Sequence, residues 1–410
     1  MKPKRPEVMT IETQESITDK KLRIAAFGYR ALPPDNGSAG AETFANELYS
    51  RLAAQGHEIT VYCRKYHGGS RALLKTFNKV KLVHLRTTKK SGFDSFIHSF
   101  LCTIHIIIRN TGDVIHISNG GNSFWALPLR MSGKRVYVTQ DGVDWNREKW
   151  KWYARLFLRL SMYTTAYAPN RTMFDNVFVK DLFEGKFHRK YTFIPHGANF
   201  RRPKSLEGLR EYGLEEKDYF LFVGRFIPDK GIHYLIEAFE TVTTQKKLVI
   251  VGGSPNSNAE YERKIRRTTD ARIQFLGFIY GDNVLQLING AYSYIQPSDV
   301  EGMSPIILTA MGIGTPIICS NIQENRYVVG ETALLFEKSD VDSLKRQIEK
   351  ALFDPRMLLA KAKQAQERAL HLFSWDTIAE TYEIIFKGQQ PPNDRWNSHD
   401  PTCFREQEHM

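Results

Sequence analysis

The sequence predicts an α/β protein built as two doubly wound, Rossmann-like domains facing across a cleft. Three observations carry this. Short apolar runs suited to buried strands alternate with helical stretches along most of the chain. The alternation pauses in a polar, proline-bearing stretch at 201–218 and restarts at Tyr219. The chain has 410 residues, more than one ordinary core holds. Alternating strands and helices imply parallel sheets with right-handed crossovers. In such sheets ligands sit outside the carboxyl ends of the strands.

In chain order, residues 1–20 are polar and aperiodic and read as a loose tail. The run LRIAAFG (22–28) reads as a buried strand, followed by a loop with two prolines and two glycines. The stretch 41–56 is a helix: Phe44, Leu48 and Leu52 share one face, and Gly56 stops it. With the strand EITVYCR (58–64) this makes a βαβ unit. Further strands are read at 80–86, 113–118, 134–140 and 166–170, and 190–197 closes this half.

The second half repeats the grammar: strand 219–225, turn IPDKG, helix 232–242, strand 247–253, then RIQFLGF, SYIQPS and PIICS separated by helices. An amphipathic helix at 374–388 is the last element, and the tail beyond it has no periodicity, so it reads as disordered or peripheral. The expected organisation is a tail (1–20), a first Rossmann-like domain (21–198), a linker (199–218), a second Rossmann-like domain (219–373), a helix (374–388) and a second tail (389–410).

The formal net charge is +12, which favours an anionic partner: nucleic acid, an acidic membrane face or a phosphorylated substrate. No nucleic-acid-binding module accompanies that charge, so nucleic acid is not expected as a partner. The four cysteines are scattered with no metal-ligand spacing, as in a reducing compartment. The N-terminus lacks the apolar core of a signal peptide. The longest apolar run, 96–108, is broken by His98, Ser99, Thr103 and His105 and is too short and polar to span a bilayer. A cytoplasmic location is expected.

Two stretches carry chemistry. In FVGRFIPDKG a strand delivers Gly224 and Arg225 at its carboxyl end, and Lys230 and Gly231 open the next helix. Two cations beside a helix N-terminus suit a diphosphate; a surface loop with two solvated charges explains them equally well. In PSDVEGMSPIILTAMGIGTPII, Glu301 follows a strand, Gly302 and Ser304 allow close backbone approach, and Pro305 takes the first turn of a helix at 305–312. That helix N-terminus presents free N–H groups to an anion. Alone, this is also how an ordinary crossover with an exposed glutamate looks.

Taken together, the second half resembles the C-terminal domain of the family-four retaining glycosyltransferases, which have the GT-B fold. The carriers are Gly224-Arg225…Lys230-Gly231, FLGF (275–278), and PSxxEG (297–302) followed by AMGIGTPII. The first half resembles the bacterial rhamnosyltransferase-like members of that family, through GYRALPPDNGSAGAETFANEL, GHEITVYCR, QDGVDWNREKWKWYARLFLRLS and IPHGA. The resemblance implies roles. Arg225 and Lys230 would hold the diphosphate and Glu301 would contact the donor sugar. Backbone near Gly302, Ser304, Pro305 and Ile306 would face the phosphate, although Pro305 has no N–H. The base would lie near Gly277 and Phe278, the Gly40 loop would approach the phosphate, and His116 would face the sugar. Asp141 and Asp144 fall on the acceptor side; Asp144 also reads as a structural loop aspartate, and His116 equally as a buried structural histidine.

One departure from the family pattern stands out. The second glutamate of its E-x7-E motif, which grips the ribose hydroxyls, is Thr309 here. Either the donor lacks the 2′-hydroxyl, as dTDP-rhamnose does, or donor binding is weakened. The implied reaction moves a sugar, rhamnose as the first guess, from a nucleotide diphosphate to a glycan or lipid-linked acceptor in polysaccharide biosynthesis, with retention. The nucleotide sugar is a co-substrate; no cofactor or metal is expected. The Asp-x-Asp at Asp340 and Asp342 opens a helix and reads as a cap.

Residues 129–190 hold 13 Lys and Arg against 6 Asp and Glu, and 147–160 is basic and aromatic on interleaved positions. This fits peripheral contact with an acidic membrane, and fits a solvated domain face as well. The rival classes are a catalytically weak sugar-nucleotide or glycan-binding protein and a GT-B epimerase or phosphorylase. An NAD-dependent dehydrogenase is disfavoured because no strand leads into a complete GxGxxG.

Overall fold

A computed structural model describes residues 21–34, 40–65, 74–88, 93–140, 142, 152–254, 258–391 and 396. Two sheets organise them. The first contains β1 (Arg23–Phe27), β2 (Glu58–Arg64), β3 (Thr76–Phe77), β4 (Val80–Leu85), β5 (Val114–Ser118), β6 (Arg135–Gln140), β7 (Arg171–Phe174) and β8 (Thr192–Phe193). Its strand order is β3-β4-β2-β1-β5-β6-β7-β8. Every pairing is parallel except the short β3–β4 pair. The second contains β9 (Tyr219–Arg225), β10 (Lys247–Gly253), β11 (Ile273–Gly277), β12 (Ser293–Gln296), β13 (Ile317–Ser320) and β14 (Leu334–Phe336). Its order, β11-β10-β9-β12-β13-β14, is fully parallel and is the doubly wound 3-2-1-4-5-6 arrangement.

The strands are apolar because helices cover both sheet faces. In β9 the first four residues are buried, and only its carboxyl end opens toward solvent at Arg225. The helix Gly40–Ala54 buries Phe44, Leu48, Tyr49 and Leu52, and Gly56 follows it with φ at +95°, a left-handed exit that suits glycine.

Several expectations need correction. Residues 166–170 form no strand: the helix Trp152–Tyr167 runs into them and the strand is Arg171–Phe174. The linker carries a 3-10 turn, Glu207–Tyr212. The tail is not wholly peripheral, since Trp396 is buried with its Nε1 donating to Leu372 O at 2.6 Å. The first tail, residues 143–151 and Cys403 lie outside the described residues.

The last helix, Trp375–Phe386, packs on the first domain rather than the second. Its Trp375 and Tyr382 rings lie 5.8 and 5.6 Å from Phe44, and Asp376 pairs with Arg51 at 2.6 Å. The chain therefore crosses between the domains twice. The crossings touch: Ala198 N–H donates to Phe373 O at 2.7 Å.

Candidate nucleotide-sugar site

Both sheets have a topological switch point, where neighbouring strands send their crossovers to opposite faces, and such points form ligand crevices. In the second sheet this lies between β9 and β12. There the chain is close-packed: Gly231 has φ +65°, and a Cβ on it would meet Pro297 O at 1.9 Å. The tight turn puts Lys230 beside the loop after β12.

Lys230 Nζ pairs with Glu301 Oε1, and both side chains are largely buried. The same carboxylate oxygen accepts from Gln296 Nε2 and, at 2.7 Å, from Ser298 Oγ. Ser298 is itself held by Ser320 Oγ, which donates to Ser298 O. Glu301 is thus fixed by three donors from two strand ends. Its negative charge, together with burial, pushes the Tyr294 hydroxyl upward. Burial and the same charge also raise the Glu324 carboxyl. Arg225 is exposed and makes no ion pair with another described residue.

The helix Pro305–Ile313 begins next to this cluster. Ser304 caps it, its hydroxyl accepting from Ile307 N–H at 3.4 Å. Pro305 has no N–H, so Ile306 is the first-turn amide left for an anion. A Cβ on Gly40 would lie 3.6 Å from Pro305 Cγ. Two helix N-termini, one from each domain, therefore converge here, each with its partial positive charge. Gly302 faces open space. Together with Met303 it lines a shallow, open pocket with Asp175, Asn176, Glu324 and Tyr327.

Toward the other end of the loop system, Gly277 adopts φ +71°. Phe278 is exposed and lies parallel to Tyr280, with ring centroids 6.1 Å apart. Gly224 packs against the Phe222 ring, 2.9 Å from where a Cβ would stand. Thr309 turns its hydroxyl back onto its own helix, donating to Pro305 O at 2.8 Å. Asp340 accepts from Ser343 N–H at 2.8 Å and caps the helix Val341–Phe353.

His116 is not at the cleft. Its ring is fully buried, with Nδ1 2.8 Å from the Tyr49 hydroxyl and Nε2 2.7 Å from Thr139 Oγ1. Tyr382 and Phe386 of the last helix close over it, centroids 5.4 and 5.3 Å away. Burial lowers its pKa to about 3. Of the two readings of this histidine, sugar-facing or buried and structural, this setting favours the second: both nitrogens have partners and no solvent reaches the ring. Asp141 and Asp144 lie outside the described residues.

The sequence reading missed a pair at the mouth of the same cleft. His196 Nε2 lies 2.8 Å from Asp175 Oδ2, and His196 N–H points at Met303 Sδ, 3.1 Å away. The IPHGA segment carried the signal, but its partner is 21 residues upstream. Gln296 and Ser298 were also passed over as neighbours of Glu301.

Two facing doubly wound domains with a switch-point site between them define the GT-B class. Residues 38–202 match the family described as Glycosyltransferase Family 4, and residues 209–369 match Glycosyl transferases group 1. The chain belongs to these GT-B glycosyltransferases. Among relatives, it is 28% identical over 180 residues to the O-antigen chain mannosyltransferase B of Escherichia coli, covering 41% of this chain and 45% of that one. The chain spans about half the length of the first such curated relatives it matches. Its fold is similar to that of sucrose-phosphate synthase from Thermosynechococcus elongatus (TM-score 0.76, 20% identity, 90% of this chain and 99% of that one). It is also similar to Anabaena HepE in complex with UDP-glucose (TM-score 0.73, 15% identity, 90% and 100%). No helix among the described residues is long and apolar enough to cross a membrane.

Proposed function

We propose that the protein transfers a sugar from a nucleoside diphosphate to the hydroxyl of a glycan or lipid-linked acceptor, retaining anomeric configuration. The observation that carries this is the Lys230–Glu301 pair beside the N-terminus of helix Pro305–Ile313, with Arg225 exposed at the end of the strand that leads to Lys230. As the glycosidic bond breaks, negative charge develops on the leaving diphosphate. Arg225, Lys230 and the Ile306 amide are preorganised to stabilise it. Glu301, held by Gln296 and Ser298, is the sugar's hydrogen-bond partner. Lys230 neutralises Glu301 before donor arrives and turns to phosphate when it binds. Phe278 is an exposed ring on which a base can stack.

Thr309 bears on the donor. Its hydroxyl is already used within the helix, so no carboxylate clamps a ribose 2′-hydroxyl. This favours a deoxyribose donor, dTDP-rhamnose, in the present reading. The name of the Escherichia coli relative favours mannosyl transfer instead. Thermal shifts and binding constants with dTDP-rhamnose, GDP-mannose and UDP-glucose separate these. The expected order puts dTDP-rhamnose tightest. Tighter binding of GDP-mannose or UDP-glucose overturns the deoxyribose reading, and no transfer from any of them favours a binding protein over an enzyme.

A further inference from the structure

The helix Phe93–Arg109 is packed inside out. Its buried residues are His98, Ser99, Cys102, Thr103 and Ile106. Its exposed side is a stripe of Phe93, Phe96, Phe100, Ile104, Ile107 and Ile108, exposed by 39–74%. Spacings of three and four residues keep the stripe on one face. The usual arrangement puts such residues in the core.

Two neighbouring helices continue it. Phe124, Leu127 and Met131 are exposed on the segment Gly120–Met131, and Trp152, Leu156, Leu160, Tyr163 and Tyr167 on Trp152–Tyr167. Ring contacts join the three: Phe96 to Trp125 at 5.2 Å, Phe96 to Phe157 at 5.6 Å and Phe124 to Phe157 at 6.3 Å. Among the described residues, fourteen of the 22 large exposed apolar side chains lie on these segments. A continuous apolar surface of this kind marks an interaction site.

Charge decides what kind. Besides the half-buried Arg155, the segments carry the exposed Arg109, Arg130 and Arg159 against a single acid, Asp94, which Arg64 pairs at 2.5 Å. A second copy meeting this face about a two-fold axis would bring like charges together. An anionic lipid surface would pair them and take up the apolar stripe. We propose that the three-helix face of the first domain docks on an anionic membrane. The docking face overlaps the basic stretch at 147–160 singled out by the sequence and extends it onto the helix Phe93–Arg109 and the segment Gly120–Met131. It rests on the glycosyltransferase reading only for its use, which is to bring a lipid-linked acceptor to the cleft. The segments after β5 and β6 also line a small pocket at Gly120, Gln140 and Thr165, on the acceptor domain.

The test is co-sedimentation of the full chain with vesicles, without donor or acceptor, so that its outcome is independent of transfer. Binding is expected to vesicles of phosphatidylcholine with about one-third phosphatidylglycerol, weaker binding to phosphatidylcholine alone, and release in about 0.5 M salt. I104E/I108E lies on exposed positions and should keep the wild-type Tm while losing at least about tenfold in partitioning. R109Q/R159Q should lose about fivefold per cation. Equal partitioning to neutral and anionic vesicles, or none to either, overturns the proposal. So does a concentration-dependent dimer that I104E/I108E converts to monomer.

Discussion

The two sheets share a topology and use their switch points differently. At the second, between β9 and β12, charge is held ready: Lys230, Glu301, Gln296 and Ser298 are locked together beside a helix N-terminus. At the first, between β1 and β5, the polar group on the strand is His116, sealed under Tyr382 and Phe386. One βαβ frame can therefore serve chemistry or cohesion. What decides is whether a later element covers it, as the last helix covers the first domain.

The comparison breaks most visibly if the two sites respond alike to substitution. Lys230→Ala should cut kcat per folded molecule by about 10²–10³-fold, as for removal of a preorganised positive charge, and should also lower Tm, because the largely buried Glu301 carboxylate loses its partner. His116→Ala should act on stability alone. It takes one of two partners from each of the Tyr49 and Thr139 hydroxyls, which keep Tyr29 and Tyr382, and opens a cavity, for about 2–4 kcal/mol of stability, while kcat per folded molecule stays within a few-fold. A large kcat loss at unchanged Tm for His116→Ala would return that histidine to the reaction.

The pH dependence sharpens the same contrast. His116 has a folded pKa of about 3, below the roughly 6.5 of an unfolded histidine. The unfolded chain therefore binds the proton more readily as pH falls below about 6.5. Stability from this group is complete above that value and is lost toward pH 3, by up to about 1.4 kcal/mol per unit. Denaturant melts from pH 7 to 4 should show this slope, and His116→Phe should flatten it. A smaller effect is expected at Ser298→Ala, which removes one of three donors to Glu301: about fivefold in kcat/KM, corresponding to about 1 kcal/mol. The smallest is none. If Arg225, Lys230 and Ile306 supply the positive field as proposed, transfer should persist in excess EDTA, and abolished transfer refutes that assignment.

How much was legible follows from how local each signal is. The strands at 58–64, 219–225 and 247–253 are apolar and flanked by turns, and they form where the sequence puts them. The short strands Thr76–Phe77, Arg171–Phe174 and Leu334–Phe336 give too little apolar pattern to detect. Arg225 and Lys230 could be read as a pair because they lie five residues apart. Their neighbour Glu301 is 71 residues from Lys230, and only the family pattern joins them. The burial of His116, one of the two readings open to it in the sequence, depends on residues near 382–386, so no local reading could decide it. The polar residues that interrupt the run at 96–108 looked like a reason to discount it. In the fold they are its inner face.

The paired crossings at Ala198 and Phe373 have one more consequence. A chain that passes once between two bodies leaves them free to swivel in any direction. Here two strands of backbone pass side by side, bonded to each other, and Gly197 lies so close to Trp375 that a Cβ would fall 2.3 Å from its ring. The joint behaves like the pin of a two-leaf door. Two adjacent crossings restrict how one domain can turn on the other more than a single crossing would, and they favour a swing about their common line.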